Sequence, residues 1–267
     1  MAQSELAIDA TAAAGDIEAF IADAACKAGF ERVILGLSGG LDSATVCGLC
    51  ARALKPERVI AVNMPYRATS PESVADAQRA AAWAGAEILT VEITPQVDAY
   101  FARFPDADAR RRGNKMARER MAVLYDLSAA REALVVGASN KTEWLLGYFT
   151  LWGDMAAGIW PLATLYKTQV RQLAAHLGVP EAIRGKPPSA ELWEGQTDEE
   201  ELGIRYEQVD RLLYHLVDRG ESRAHLVRHG FAGDLVERVA ALVERTEFKR
   251  RLPLTIDVVG EEEEDFI

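Results

Sequence analysis

The sequence has little of what marks a secreted protein. Its 267 residues contain three cysteines, Cys26, Cys47 and Cys50, and so small and odd a number argues against a disulfide framework. The first residues, MAQSELAIDA, have neither the basic region nor the apolar region of a secretory leader. We therefore expect a protein of the reducing cytoplasm.

Positive charge is also scarce. The formal net charge is −11 and the isoelectric point is about 5.0, whereas nucleic-acid-binding proteins usually carry a basic stripe. The longest basic cluster, three arginines at residues 110–112, has acidic neighbours, and we interpret it as a solvated loop. We expect no nucleic-acid partner, and we interpret the acidic tail at residues 260–267 as a solvated terminus.

An uninterrupted apolar segment is missing as well. Residues 144–166 contain a single charged side chain, Asp154, but several glycines and Pro161 break the stretch. A membrane-spanning helix needs about 20 mostly apolar residues without such breaks, so we expect no membrane span. The hydrophobic content of 49% is that of a globular chain with a sizeable core.

The sequence does contain an alternation of short apolar runs and helical patterns. Strands are predicted at residues 33–37, 58–64, 87–93 and 133–138, with a short fifth at 159–162. Helices are predicted at residues 4–29, 42–54, 71–83, 114–131 and 141–146, the third capped by Ser70. This alternation predicts an open parallel sheet with helices on both faces.

We expect one domain over residues 1–267, with the sheet at about residues 30–165. From Lys167 the pattern is helical to about residue 253. An irregular loop at residues 184–198 interrupts it, and a loop of that length is usually functional or mobile.

The segment GLSGGLDS, residues 36–43, follows the first predicted strand, where open parallel sheets bind ligands. Gly39 and Gly40 allow the backbone to approach an anion closely, and Ser38 and Ser43 add hydroxyl groups. The following helix directs free N–H groups towards the same point. The segment thus predicts a phosphate loop, although it lacks the GxxxxGK[ST] pattern of γ-phosphoryl transfer.

Asp42 places a negative charge within this phosphate loop. A bare carboxylate would repel phosphate, whereas a divalent cation would bridge the two groups. Mg²⁺ is commonly held by one or two carboxylates together with substrate phosphates. Asp42 is therefore interpreted as a metal ligand, with a simple helix cap as the alternative.

The loop SGGLDS resembles the pyrophosphatase loop of the N-type ATP pyrophosphatases, which split ATP into AMP and pyrophosphate. Further blocks resemble the NAD synthetase family in the same order: GNKMARERMAVLYDLS, GASNKTEWLLGYFTLWGD, PLATLYKTQVRQLAAHLGVPE, KPPSAELWEGQTDEEELGIRYEQVD and TEFKRRLP. The resemblance covers about residues 30–253 and implies an adenine nucleotide alpha hydrolase-like fold.

The family resemblance implies a role for individual residues. It implies ATP binding by Gly36, Leu37, Ser38, Gly39, Gly40, Leu41, Asp42, Ser43, Lys167 and Ser189. It implies Mg²⁺ binding by Asp42 and Glu143, and contact of deamido-NAD with Arg118 and Lys249. It gives Lys167 and Asp154 catalytic roles, Asp154 beside the ammonia site.

Four positions depart from the family pattern. Ala138 stands in place of a threonine, Leu151 of a lysine, Gly158 of an acid and Phe248 of a histidine or tyrosine. These departures affect the nicotinate side of the substrate more than the ATP side.

The reaction that the resemblance implies is the ATP-dependent amidation of deamido-NAD to NAD through an adenylate, with release of AMP and pyrophosphate. Only about 30 residues precede the loop, too few for a glutaminase domain. Ammonia is therefore the expected nitrogen source, unless a separate glutaminase subunit docks. The family also implies a homodimer.

Two other functions stay open at this stage. One is another amide ligase or thiolase of the ATP pyrophosphatases, and the other is a catalytically inactive adenine-nucleotide sensor. Cys47 and Cys50 form a C-x-x-C pattern, as in thiolation enzymes, but this spacing lies on one helix face and we interpret it as core packing.

Overall fold

The structure of the protein, a computed structural model, describes residues 5–187, 203–251 and Pro253. The strands in these ranges are β1 Arg32–Gly36, β2 Val59–Asn63, β3 Glu87–Thr90 and β4 Ala133–Val136. The helices up to the end of the sheet region are α1 Ala10–Lys27, α2 Leu41–Leu54, α3 Pro71–Ala84, α4 Thr94–Phe101, α5 Ala109–Arg131 and α6 Lys141–Leu146. The later helices are α7 Lys167–Leu177, α8 Glu181–Arg184, α9 Tyr206–Leu213, α10 Arg223–Arg228 and α11 Gly233–Arg245. A π-helical turn, Tyr214–Asp218, extends α9, and short 3₁₀ turns lie at Pro56–Arg58 and Glu247–Arg250.

The strands of the described residues form one parallel sheet in the order β3-β2-β1-β4. Val33 of β1 pairs with Val59 of β2 on one side and with Leu134 of β4 on the other. The chain winds from β1 outwards to β3 and then returns to the far side of β1, so the strand order switches between β1 and β4. The predicted open parallel sheet with helices on both faces is confirmed.

Each strand is apolar on both faces because each face meets its own core. Val33 and Leu35 pack with residues of α1, α2, α3 and α7, while Ile34 packs on the opposite face with residues of α4 and α5. A third core, which includes Leu146 and Leu212, joins α6 to α9, α10 and α11. None of the described helices has the length and apolar character that a membrane crossing requires.

The predicted fifth strand at residues 159–162 is wrong. Ile159 forms only an isolated parallel bridge with Val136, and two backbone bonds, Gly137 N–H to Ile159 O and Gly158 N–H to Val135 O (both 2.9 Å), complete the contact. The pairing ends there because Pro161 has no N–H group to donate to a ladder.

The interpretation of residues 110–112 as a loop is also wrong. The three arginines lie in the first turn of α5, which begins at Ala109 rather than at the predicted Asn114. Asp108 caps this helix by accepting the N–H of Arg111 at 2.7 Å. The predicted cap of α3 is confirmed, since Ser70 accepts the N–H of Ser73 at 3.1 Å.

Candidate active site

The loop between β1 and α2 has the open backbone that phosphate binding requires. Gly39 has a φ of +88°, and a Cβ atom at this position would collide with the carbonyl oxygen of Ser73 on α3. Gly40 is the N-cap of α2 and provides no side chain to bond the first turn. The N–H groups of that turn and the helix dipole are therefore available to an anion.

The serines of the loop bond to one another and to its backbone. Ser38 Oγ and Ser43 Oγ lie 3.2 Å apart, and Ser38 Oγ accepts the N–H of Gly40 at 3.2 Å. Leu37 differs from the rest of the loop because its backbone groups are engaged in and beside the sheet. Its N–H donates to Val62 O at 2.9 Å and its carbonyl accepts from Asn63 Nδ2 at 2.8 Å.

The switch in strand order brings the start of α6 beside the phosphate loop. Asn140, the N-cap of α6, donates from Nδ2 to Asp42 Oδ2 at 3.2 Å. Its Oδ1 accepts the N–H of Glu143 at 3.0 Å, and Glu143 Oε2 accepts the N–H of Asn140 at 3.5 Å. This capping box holds the side chain of Glu143 close to Asn140, which itself bonds Asp42 of the phosphate loop. Sequence reasoning missed Asn140, although N-x-x-E before a helix is a readable capping signal.

Lys167, the first residue of α7, lies between two carboxylates. Its Nζ contacts Asp42 Oδ2 and is 3.5 Å from Glu143 Oε1, and its side chain is only 6% exposed. The other oxygen of Asp42, Oδ1, is buried and accepts no hydrogen bond within the described residues. The cluster of Asp42, Glu143 and Lys167 thus carries one positive and two negative charges, and one of its oxygens is open to a further cation.

Asp154 lies in the turn that follows α6, at residues 147–155. Its Oδ1 accepts the N–H of Thr150 at 2.9 Å. Solvent reaches the side chain, yet the surrounding protein desolvates the carboxyl group and raises its pKa, against the opposing effects of the Thr150 bond and the charge of Lys249. A raised pKa makes this carboxylate a stronger proton acceptor than an ordinary aspartate.

Arg118 and Lys249 hold the backbone of the same turn. Arg118 Nε donates to Leu151 O at 3.2 Å. Lys249 Nζ donates to the carbonyl oxygens of Gly147 and Phe149, each at 2.7 Å, and desolvation lowers its pKa. The structure therefore gathers the predicted substrate-side residues at one turn, with both cations bonded to its backbone.

The structure shows what surrounds two of the four positions that depart from the family pattern, Phe248 and Gly158. Phe248 is 64% exposed. At Gly158 a Cβ atom would collide with the side chain of Leu134 on β4, so Leu134 takes the space that an acidic side chain would need. Ser189, which the sequence also predicts to bind ATP, lies outside the described residues.

The C-x-x-C pair lies inside the core, as interpreted from the sequence. Cys47 and Cys50 are fully buried on α2. Desolvation raises the pKa of Cys47 to about 12 and raises that of Cys50 as well. The reactive thiolate is therefore scarce at neutral pH, which argues against thiolation chemistry at this pair.

The fold and the site together define a nucleotide-binding α/β protein whose phosphate loop lies at the switch in strand order. A profile of the NAD synthase family matches residues 13–253. The chain belongs to that family, which confirms the resemblance found in the sequence.

Individual relatives resemble the chain over most of its length. A protein of Trichlorobacter lovleyi, named NH(3)-dependent NAD(+) synthetase, is 54% identical over 90% of this chain and 88% of its own length. The solved NH3-dependent NAD synthetase from Campylobacter jejuni, in complex with the nitrate ion, is 32% identical with a TM-score of 0.81 and covers 94% of this chain and 100% of that one. A structure described as NMN synthetase from Francisella tularensis is 32% identical with a TM-score of 0.83, at the same coverage of both chains.

Proposed function

We propose that the protein is a ligase that converts deamido-NAD, ATP and ammonia into NAD, AMP and pyrophosphate. The observation that carries the proposal is the meeting of Lys167, Asp42 and Glu143 beside a phosphate loop. Membership of the NAD synthase family favours this ligase over a thiolase or an inactive sensor. The name of the T. lovleyi relative favours ammonia as the nitrogen donor.

The first step activates a poor electrophile. A carboxylate oxygen of the nicotinate group attacks the α-phosphorus of ATP, a carbon–oxygen–phosphorus anhydride forms, and the bond to the β-phosphate oxygen breaks. Lys167 and the N–H groups at the start of α2 stabilise the charge that develops on the departing pyrophosphate. Holding both nucleotides in register supplies much of the rate.

The residues around Asp42 fit a magnesium ion. Mg²⁺ favours carboxylate oxygens and keeps several ligands from phosphate and water, and the buried Asp42 Oδ1 has no donor within the described residues. Those residues contain no group of three or more histidines, cysteines and acids placed to hold a metal ion. Asp42 and Glu143 would hold the ion, which when bound would neutralise charge on the phosphates.

The second step makes the amide. Ammonia attacks the carbonyl carbon of the adenylate, AMP leaves with the bonding electrons, and the nitrogen loses one proton. Asp154 accepts this proton, because desolvation by the surrounding protein raises its pKa. Arg118 and Lys249 hold the turn that carries Asp154 and bind deamido-NAD beside it.

The protein acts as a homodimer in the cytoplasm. Dimerisation rests on the family resemblance. The cytoplasmic location rests on the low cysteine count, since all three cysteines are unpaired. Ser189 completes the ATP site in this proposal.

The test is to incubate the purified protein with ATP and Mg²⁺ and to follow NAD and pyrophosphate. One sample receives deamido-NAD and ammonium, a second receives deamido-NAD and glutamine, and a third receives nicotinate mononucleotide and ammonium. NAD from the ammonium sample alone supports the proposal. NAD from glutamine would refute the dependence on ammonia, amidation only of the mononucleotide would reassign the substrate, and no pyrophosphate in any sample would favour the sensor.

Asp42→Asn is the variant that tests the metal role. It keeps the size of the side chain but removes its charge, so we expect pyrophosphate release to fall by a factor of about 10² or more while the circular dichroism spectrum stays unchanged. Asp16→Asn, at an exposed position of α1, is the matched control. Full activity of Asp42→Asn would show that the acid does not hold a metal.

A further inference from the structure

Asp210 on α9 is a buried carboxylate that the proposed reaction does not yet use. Its side chain is 0% exposed. Its Oδ1 accepts a hydrogen bond from Thr142 Oγ1 at 2.6 Å, and its Oδ2 accepts the N–H of Thr168 at 2.8 Å. One carboxylate of the helical C-terminal part therefore bonds both α6 and α7.

These bonds satisfy N–H groups at the start of α7 that its N-cap side chain leaves open, while Gln169 Oε1 accepts the N–H of Tyr166 at 2.9 Å. The residue at its N-cap position, Tyr166, forms no side-chain bond to the first turn. Thr142 Oγ1 accepts the N–H of Lys167 at 2.9 Å, and Asp210 accepts the next N–H, that of Thr168. Because the hydroxyl of Thr142 donates to Asp210 in turn, the first two N–H groups of α7 both depend on this carboxylate.

The positions of these bonds matter because of the residues beside them. Lys167 is the first residue of α7, and Thr142 precedes Glu143 on α6. The link through Asp210 therefore fixes the starts of α6 and α7. Glu143 lies on the first and Lys167 on the second, and Lys167 Nζ is 3.5 Å from Glu143 Oε1. A shift of either helix would change this contact and the placement of Lys167 against Asp42.

A second carboxylate supports the same two helices. Asp218, at the end of the π-helical turn, accepts two bonds from Lys141 Nζ at 2.6 and 2.7 Å and one from the hydroxyl of Tyr166 at 3.1 Å. Lys141 begins α6, and Tyr166 immediately precedes α7. The helical C-terminal part thus bonds to the starts of α6 and α7 through two carboxylates, the buried Asp210 and the partly exposed Asp218.

Stability alone does not account for Asp210. Burial raises its pKa, and the bonds from Thr142 and Thr168 oppose that rise. A buried charge costs several kcal/mol of desolvation, and well-packed apolar side chains at such sites are often as stable or more so. Tyr206 and Leu213, four residues before and three residues after Asp210, show that apolar residues pack well on this face of α9.

We infer that Asp210 is a positioning residue of the proposed reaction, which it serves by fixing Lys167 through the start of α7 and Glu143 through Thr142. The inference rests on the proposed function. Asp210 touches neither substrate, and it acts only through these two helices.

The first test compares Asp210→Asn with Val209→Ala, a buried apolar truncation on the same helix. For Asp210→Asn we expect kcat to fall by a factor of about 10 to 100, because small misplacement of a catalytic group is costly. The KM for deamido-NAD should stay within about twofold, since the residue lies outside both substrates. Val209→Ala should lower the melting temperature and leave kcat within about twofold of the wild type. Equal kcat values for the two variants would overturn the inference.

A second pair keeps the test sharp if Asp210→Asn does not fold. Thr142→Val removes the hydroxyl that joins Asp210 to Lys167, while Thr142→Ser retains it. We expect kcat to fall about tenfold or more in the valine variant and to recover to within about threefold of wild type in the serine variant. Equal kcat in both variants would contradict the positioning role.

Calorimetry of ATP with Mg²⁺, without the second substrate, separates this inference from the proposed function. If Asp210 positions Lys167, its asparagine variant should bind ATP at least about fivefold more weakly than the wild type. Failure of the wild type to form NAD would sink the proposed function and leave this binding result intact. Unchanged ATP binding together with unchanged kcat would sink the positioning role itself.

Discussion

Lys167 illustrates at the residue scale how a buried cation holds a site in order. A lysine that is 6% exposed survives as a charged group only beside carboxylates, and here it has two, Asp42 and Glu143. In the same position it can contact a phosphate that enters the loop. The same charge therefore serves the folded protein and the proposed reaction.

Lys167→Met should separate these two effects. Breaking a buried ion pair by removing one partner costs about 3–5 kcal/mol of unfolding free energy, so we expect a lower melting temperature and a loss of pyrophosphate release. Because Asp42 and Glu143 would then repel each other, added Mg²⁺ should raise the melting temperature of this variant more than that of the wild type. Lys167→Arg, which keeps the charge, is the control. An equal response of all three proteins to Mg²⁺ would argue against a cation at this site.

Asp154 makes a prediction about pH at the same scale. Its pKa lies above the ordinary value of 3.8, so the folded protein holds this proton more tightly than the unfolded chain does. Its stabilising contribution is thus present below the unfolded pKa and is lost as the pH rises through the folded pKa. Only the deprotonated form accepts a proton from the nitrogen, so kcat should fall on the acid side through that raised pKa.

The measurement is kcat against pH at a fixed concentration of free ammonia, for the wild type and for Asp154→Asn. The asparagine variant should be slower at neutral pH and should lack this acidic limb. If both proteins show the same limb, another group titrates and Asp154 is not the acceptor.

At the scale of elements, the β1–α2 connection depends on backbone freedom. Gly39 combines a φ of +88° with a close approach to α3, where any Cβ atom meets Ser73 O. Gly15 offers a matched control, since it lies inside α1 with nothing within 4 Å of an added Cβ atom.

Gly39→Ala should therefore lower the unfolding free energy by about 1–3 kcal/mol and abolish ATP cleavage. Gly15→Ala should raise the unfolding free energy by about 0.5–1 kcal/mol and retain activity, because alanine is the better helix former. Chemical denaturation and pyrophosphate release measure the two effects. An active, stable Gly39→Ala protein would show that the loop tolerates a different backbone path.

The same elements show what a sequence can predict. Ser70 and the α6 start at Lys141 were predictable, because caps are local signals. The prediction of a fifth strand was wrong because strand pairing depends on tertiary contacts. Ile159 pairs with Val136, but Pro161 has no N–H group with which to continue the ladder. The bond between Asp210 and Thr142 joins residues 68 positions apart, and no local periodicity reveals such a partner. The approach of Lys167 to Asp42, by contrast, followed from the family resemblance and not from spacing.

At the scale of the whole molecule, the proposed dimer gives a simple prediction. Sedimentation analysis should yield a mass near twice the 29.2 kDa of one chain, over the concentrations used for the activity assay. The mass should not depend on salt if apolar contacts dominate the interface, since charge contacts are screened. A monomer with full activity would exclude the dimer as a requirement for catalysis.

The three cysteine thiols differ in solvent accessibility, so only one of them can react with a reagent added to the folded protein. Cys47 and Cys50 are buried, whereas Cys26 is exposed near the end of α1. An alkylating dye applied to the folded protein should therefore attach once per chain, at Cys26, and attach to the other two only as the chain unfolds. The unaltered sequence therefore already provides one site for a fluorescent label, Cys26. The rate at which Cys47 and Cys50 become labelled would report how often the whole chain unfolds.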